Sequence, residues 1–335
     1  IRDRTYEMFL DFHKTYYHPS NSYIYLYGDM DIDETLKFID QEYLSHFDAR
    51  NVYSSVKTQS PLPKRKIVEA PFGISENESL EKKTIHALYI ALNDHITTEE
   101  SLAFKILSYV LVDMDGAPLK KAVLDAGIGN DVSSAYGDSY KQPVWTIEVT
   151  GSEIDKREKF ISTVDLVLRN LALDGIDRNM LEAALNRTEF ILRENDFQGK
   201  PKGLLYGVRA MDFWLYDRDP MQALKYIDDI KELRNNLDKG YFENLLLKYV
   251  IKNTHQVLIT MKPERGLTEK KNKETAEKLA AFKSSLSHEQ LEEIVESTKA
   301  LKERQASMET EEALKTIPLL SRKDLKREIE DDSLI

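Results

Sequence analysis

Hydrophobic and polar positions recur with two different periods along the chain, and each change of period marks an element. At the start, Tyr6, Phe9, Leu10 and His13 share one helical face up to about Tyr16, and Pro19-Ser20-Asn21-Ser22 stops that helix. Tyr23-Ile24-Tyr25-Leu26-Tyr27 reads as a β-rich run closed by Gly28-Asp29. Asp33 is placed to cap a second helix, with Leu36, Ile39, Tyr43 and Leu44 on its inner side. One strand between two helices has no sheet of its own and must pair with something. An uncovered edge at 23–27 would favour aggregation, so cover is expected from the chain itself or from a neighbour, self-association through 1–48 included.

Residues 51–66, ending Pro61-Leu62-Pro63-Lys64-Arg65-Lys66, read as a proline-stiffened connector. Strands are expected at Ile67–Ala70 and at Thr84–Leu92, the second apolar on both faces. Thr97 with Glu100 spells a capping box, and Leu102, Ile106, Tyr109 and Val110 give the following helix its stripe. A shorter helix from Ala117 to Ala126 stops at Gly127. Asn130–Tyr136 and Val144–Thr150 form the next strand pair; in the latter Trp145, Ile147 and Val149 alternate with Thr146, Glu148 and Thr150. Helices follow at about 155–172, 177–195, 202–216, 220–235 and 239–251, and a last strand, Gln256–Met261, ends before Pro263. Strands gathered early with helices after them predict an α+β fold, helices packed on one face of a mainly antiparallel sheet. From 264 to 312 the chain is nearly all Glu, Lys, Leu and Ala with helical periodicity in Leu279, Phe282, Leu286, Leu291, Ile294 and Leu301, which predicts a long charged helical arm or hairpin. Ile317-Pro318-Leu319-Leu320-Ser321 is a short apolar anchor before an acidic end.

A shift of 232 residues lays Tyr17 on Tyr249, Asn21 on Asn253, Ser22 on Thr254, and the run 23–27 on 255–259. Both places read helix, Asn-Ser or Asn-Thr, strand, then a charged helix start, as a duplication would. On that reading residues 1–48 end a first copy, and residues from about 67 to 262 are a second.

Composition narrows the chemistry. The chain has 335 residues, a formal net charge of −11 and no cysteine, which removes disulfides, thiolate zinc sites, iron–sulfur clusters and cysteine nucleophiles. The acidic balance argues against a nucleic-acid partner, and no run of about 18 apolar residues offers a membrane span. The chain opens Ile1-Arg2-Asp3 with neither Met nor a signal-peptide pattern, so the expectation is a piece of a longer, cytoplasmic protein.

No catalytic constellation emerges. The histidines are His13, His18, His46, His86, His95, His255 and His288; no two stand four residues apart, and neither H-x-x-E-H nor its inverse can be written. His95 with Glu99 has ligand spacing only inside a helix, and the capping box starts the helix after it. Gly127-Ile128-Gly129 lacks a third glycine and follows a helix, so it is read as a helix stop and turn. No Gly-x-Ser-x-Gly elbow is present, and the acidic arm is read as a solvated face. The densest aromatic stretch, Tyr206 to Tyr216 with Arg209, is a buried helix on the simpler view and an apolar wall for a bound peptide on the functional one.

Phe12-His13-Lys14-Thr15-Tyr16-Tyr17-His18-Pro19-Ser20-Asn21, followed by the aromatic run and Gly28-Asp29, resembles the end of the catalytic domain in the pitrilysin/insulinase superfamily, closest to its presequence-protease (falcilysin-like) branch. Pro118-Leu119 leading to Gly127-Ile128-Gly129-Asn130-Asp131-Val132 and Trp214-Leu215-Tyr216-Asp217-Arg218-Asp219-Pro220 resemble that branch's second domain. Leu286-Ser287-His288-Glu289-Gln290-Leu291, with Gln305, Ile317-Pro318-Leu319-Leu320 and Asp324, resembles the start of its helical hairpin linker. The resemblance implies two similar halves closing around a chamber that admits unfolded peptides. Zinc is then held by an inverted H-x-x-E-H motif and a later Glu, and zinc-bound water attacks the peptide carbonyl. It further implies that residues 1–50 end the catalytic first domain and 51–66 link it onward. Residues 67–262 would then be a second, non-catalytic domain, and 263–335 would begin the hairpin. The zinc motif is missing here, so no catalytic or metal residue carries over, substrate-binding residues stay unassigned, and zinc and peptide substrates belong to the parent protein. Arg209 and Tyr216 do not inherit the superfamily's substrate-gripping pair. The competing expectation is a non-catalytic peptide-binding or assembly module of the same fold; a third is an unrelated helical adaptor using the charged arm.

Overall fold

The computed structural model describes residues 4–93, 96–194, 199–317, 319, 321 and 322, and the chain divides into two compact units, Ile1–Leu267 and Thr268–Ile335. In the first unit the period-two stretches become β1 (Lys66–Ile74), β2 (Thr84–Ala91), β3 (Asp131–Gly137), β4 (Val144–Ser152) and β5 (Gln256–Arg265), one sheet in the order β1-β5-β2-β4-β3. Three of its four pairings are antiparallel and β1 runs parallel to β5, so the α+β fold stands with one parallel pair added. The helical run between β1 and β5 supplies the crossover that a parallel pair requires.

The helices of this unit are α1 (Tyr6–Tyr16), α2 (Ile32–Glu42), α3 (Thr98–Ser108), α4 (Pro118–Asp125), α5 (Arg157–Asp174), α6 (Arg178–Glu194), α7 (Lys202–Trp214), α8 (Ile227–Asn235) and α9 (Tyr241–Leu246). The capping box at α3 forms as spelled: Thr97 Oγ1 accepts from the Glu100 amide at 3.1 Å and Glu100 Oε2 from the Thr97 amide at 3.2 Å. α3 and α9 each widen into a π-helical turn, over Tyr109–Asp113 and Leu247–Ile251. Gly127 ends α4 with φ +63, which a side chain would strain.

Burial follows the alternation. Trp145, Ile147 and Val149 of β4, Leu88 and Ile90 of β2 and Leu258 of β5 are buried with Phe104 and Leu107 of α3, Leu119 of α4, and Phe160 and Val164 of α5. Each large side chain there contributes roughly 2–3 kcal/mol of apolar burial. Inside this layer Trp145 Nε1 donates to Ser134 Oγ at 2.8 Å, which lies 2.6 Å from Ser108 Oγ, while the buried Tyr136 hydroxyl has no hydrogen-bond partner among the described residues.

Four local expectations change. Residues 23–27 lie outside every strand; with no strand beside them, their odd-numbered tyrosines turn to α7 instead. Tyr23 stacks on Trp214 at 4.3 Å, Tyr25 fills the space a Cβ on Gly207 would need, and Tyr27 does the same at Gly203. α2 is capped by Asp31, whose Oδ1 accepts from the Glu34 amide at 2.9 Å, because the helix starts at Ile32 and Asp33 lies inside it. The inner side expected for α2 is open, Leu36 being 52% and Tyr43 57% exposed. Finally, β5 runs through Pro263 to Arg265, since β2 pairing stops at Met261 and the proline ring meets only β1.

The second unit takes in α10 (Leu267–Ser285) from Thr268 onward, α11 (His288–Ala306) and α12 (Glu311–Lys315), the two long helices joined by a short turn. Ser287 and Gln290 close a capping box on α11 with bonds of 3.2 and 2.9 Å. Leu279, Phe282, Ile294 and Leu301 are exposed, and the helical reading of 264–312 holds. In the expected apolar anchor, Pro318 and Leu320 lie outside the described residues.

Candidate functional site

The strands put alternate side chains on a second face that none of the core residues occupy. The pairing register orders them into rows. Val68, Ile259, Ala87, Glu148 and Ser133 form one row across β1, β5, β2, β4 and β3. Lys66, Val257, Tyr89, Thr146 and Ala135 form the next, and Ala70, Met261 and Ile85 begin a third. Most of these side chains are half-buried, Ala87 is buried, and Lys66, Tyr89, Ser133 and Ala135 are exposed. The face is apolar over β1, β5 and β2 and polar over β4 and β3. Such an expanse, bordered by backbone edges and polar groups, suits an extended polypeptide with mixed side chains better than a small rigid ligand.

The segment 51–66 crosses one end of the sheet, held by side chains of that end. Lys141 Nζ donates to the Val56 carbonyl at 2.8 Å, and Gln142 bonds both backbone groups of Gln59 at 2.8 and 3.1 Å. Thr254 Oγ1 donates to the Leu62 carbonyl at 2.6 Å. Arg65 grips Asp165 of α5 with two bonds of 2.9 and 2.7 Å and reaches Gln256 Oε1 at 2.8 Å. These bonds fix the connector at the sheet end and leave the second face to solvent.

The described histidines form no metal-binding cluster. His86, a buried residue of β2, approaches Thr260 Oγ1 with Nδ1 at 3.1 Å and the Glu153 carbonyl with Nε2 at 3.0 Å. A carbonyl only accepts, so Nε2 carries the proton and Nδ1 accepts from the threonine hydroxyl. Burial pushes its pKa below the usual imidazole range. His18 Nδ1 caps the Ser20 amide at 3.1 Å, His13 stacks on Tyr17 at 4.6 Å, and His288 faces Glu292 on an exposed turn at 3.1 Å. His95 lies outside the described residues. Among the described residues no three His, Cys, Asp or Glu side chains gather to hold a metal. Zinc therefore does not fit the side chains described.

Gly127-Ile128-Gly129 serves packing: an added Cβ on Gly129 would come within 2.6 Å of the Thr150 carbonyl oxygen. The aromatic stretch forms α7, where Gly203, Gly207 and Ala210 are buried while Leu204, Val208 and Leu215 are exposed. Its inner side is filled by residues 23–27 of the chain itself. Tyr216 Oη donates to the Ser139 carbonyl at 3.2 Å. Sequence reasoning assigned the strands but missed their open face as a site. The signal was present in Val257, Ile259 and Met261, apolar at every second position opposite the core-facing Leu258 and Thr260.

Both asparagines of the 232-residue echo bond back to the preceding helix, one residue out of register. Asn253 Nδ2 donates to the carbonyls of Tyr249 and Ala91 at 2.9 and 2.8 Å, and Asn21 Nδ2 to that of Tyr16 at 2.9 Å. Each closes the end of a helix before an extended run.

Comparison with known proteins agrees with this architecture. Residues 3–188 match the model of the peptidase M16 inactive domain, and residues 261–334 match that of the region associated with subfamily C of the same peptidases. Protein HypA of Clostridium perfringens is 42% identical over 328 residues, 98% of this chain and 34% of its own length. Presequence protease 1, chloroplastic/mitochondrial, of Arabidopsis thaliana is 31% identical over 338 residues, 98% of this chain and 31% of its own. The chain thus spans about a third of these relatives. Among solved structures, the peptidase M16 inactive domain from Pseudomonas fluorescens aligns with a TM-score of 0.56 at 18% identity, covering 79% of this chain and 58% of that one. The periplasmic protease PqqL from Escherichia coli aligns at 0.56 and 14% identity over 92% of this chain and 31% of its own, a likeness of fold. With its inactive-domain match, its presequence-protease relatives and no zinc motif in its sequence, the chain belongs to the peptidase M16 family.

Proposed function

We propose that this chain is a non-catalytic wall of a zinc-dependent peptidase that degrades unfolded peptides inside a closed chamber. Residues 1–50 complete the catalytic domain, 51–66 link it, 67–262 are the companion domain, and 263–335 begin the helical hairpin. Zinc and its ligands lie in the rest of the parent protein, and this chain alone neither holds the metal nor cleaves. The open sheet face carries the reading. It offers Val68, Ile85, Tyr89, Ile259 and Met261 side by side, on a layer whose other face supplies the whole sheet-side core. A peptide crossing it exchanges solvent for apolar contact at every second residue.

The test uses the full-length protein with Ile259→Glu and, separately, Met261→Glu, two half-exposed positions where a carboxylate can stay hydrated. The KM for a long unfolded peptide is expected to rise about tenfold at constant kcat, the signature of lost ground-state contact worth about 1.4 kcal/mol. An unchanged KM in both variants rejects the wall. A second reading, a peptide-binding or assembly module without hydrolysis, draws on the exposed Phe9, Phe12, Leu36 and Phe38 of α1 and α2. It predicts peptide binding by the full-length protein with no product.

A further inference from the structure

We infer that the pocket where α7 ends, between the first turn of α3 and the β3–β4 turn, binds a carboxylate carried by a peptide. This deepens the peptidase reading and rests on it for the class of ligand. The pocket encloses about 510 Å³ and is lined by Ile96, Thr97 and Thr98, by Tyr140, Lys141 and Pro143, and by Tyr216, Arg218 and Gln222. In a chain of net charge −11, its described lining holds two cations and no carboxylate.

The backbone is built to present those groups. Arg218 donates its amide to the Phe213 carbonyl at 3.1 Å and Asp217 to that of Trp214 at 3.2 Å, closing α7 with a Schellman-type turn. That turn forces Asp217 to φ +59, a left-handed conformation usually given to glycine. A strained residue kept between two pocket residues is a reason to look for function there. Beyond it, Asp219 Oδ1 accepts from the Met221 amide at 2.9 Å and starts a 3-10 turn at Pro220, which fixes the far side of the junction.

Both cations keep free donors. Arg218 sits over the Phe213 ring with Cζ 3.8 Å from its centroid, a cation–π contact that uses none of the guanidinium's N–H donors. Lys141 Nζ gives one proton to the Val56 carbonyl, a neutral acceptor, and retains two more. Among the described residues neither has a carboxylate at salt-bridge distance. Asp138 acts on Arg218 electrostatically, but its own Oδ2 is bound by Lys105 at 2.7 Å and Ser101 at 2.9 Å. A forked guanidinium, an ammonium and two phenol rings around one cavity match a planar anion with an organic chain attached. Such an anion is a peptide's terminal carboxylate or an Asp or Glu side chain.

The test measures fluorescence anisotropy of a fluorescein-labelled ten-residue peptide without acidic side chains, as free acid, as C-terminal amide, and as amide with one internal Glu. The free acid is expected to bind the unaltered chain about tenfold tighter than the plain amide, the ratio of one charge-assisted contact. Arg218→Gln and Lys141→Gln should each remove most of that preference, and Arg218→Lys should keep part of it. If the internal Glu restores tight binding, side-chain carboxylates are ligands too; if it does not, the pocket selects the terminus. Equal binding of acid and amide overturns the inference and leaves the peptidase reading intact. A preference that survives both Gln variants, or no binding of any of the three peptides, also overturns it. Thermal melting checks the fold, and Lys141→Gln, on a surface turn, decides alone if the arginine variant unfolds.

Discussion

Single side chains here carry consequences that can be measured one at a time. Thr97 satisfies an orphan amide of α3, the helix that backs the sheet, and its loss in Thr97→Ala should cost about 1 kcal/mol. Calorimetry should register this as a fall of roughly 3 °C in the first unit's midpoint. His86 gives a pH dependence with a definite sign. Burial holds its folded pKa below that of the unfolded chain, so below about 6.5 the unfolded state takes up the proton first. The stability it allows is complete above that pH and declines as pH falls through the lowered value. The melting midpoint should therefore drop between pH 7 and pH 5, and His86→Gln, which can still donate to Glu153 and accept from Thr260, should flatten that part of the profile. A profile of unchanged slope in the variant assigns the titration elsewhere.

Among the elements, α7 and the extended run 23–27 depend on each other. Gly203→Ala combined with Gly207→Ala improves intrinsic helix propensity by roughly 1 kcal/mol per site, yet places methyl groups where Tyr27 and Tyr25 now sit. Chymotrypsin should then cut after Tyr25 and Tyr27 several-fold faster while the core melts no earlier; unchanged cleavage denies the docking. The same run shows where sequence was legible and where it was not. Trp145, Ile147 and Val149 alternate against a layer that the chain itself provides, so β4 is plain in the sequence. Tyr23, Tyr25 and Tyr27 alternate just as cleanly, but strand formation needs a partner edge, and propensity cannot say whether one is present. The cap of α3 is readable in the sequence because Thr97 and Glu100 lie three residues apart. Pro263 misled because a proline ends a strand only where both sides must pair. The pocket at the end of α7 was invisible in sequence, since Lys141 and Arg218 meet only through a left-handed turn at Asp217.

For the whole molecule, the division into two units and the one-sided sheet set the account. The described residues of 268–335 share no part of the buried core cluster, so removing the segment should leave the first unit's melting midpoint essentially unchanged. A large fall would tie the arm to the core. The central claim is that peptide passes over the open face of the sheet. Its most direct test is photo-crosslinking in the full-length protein, with a photoreactive phenylalanine placed at Tyr89 or Ile259 on that face, or at Leu166, exposed on α5, as control. A long unfolded peptide should be captured from positions 89 and 259 and escape from 166. Capture that is equal at all three positions, or absent at 89 and 259 while the peptide is degraded, would contradict it.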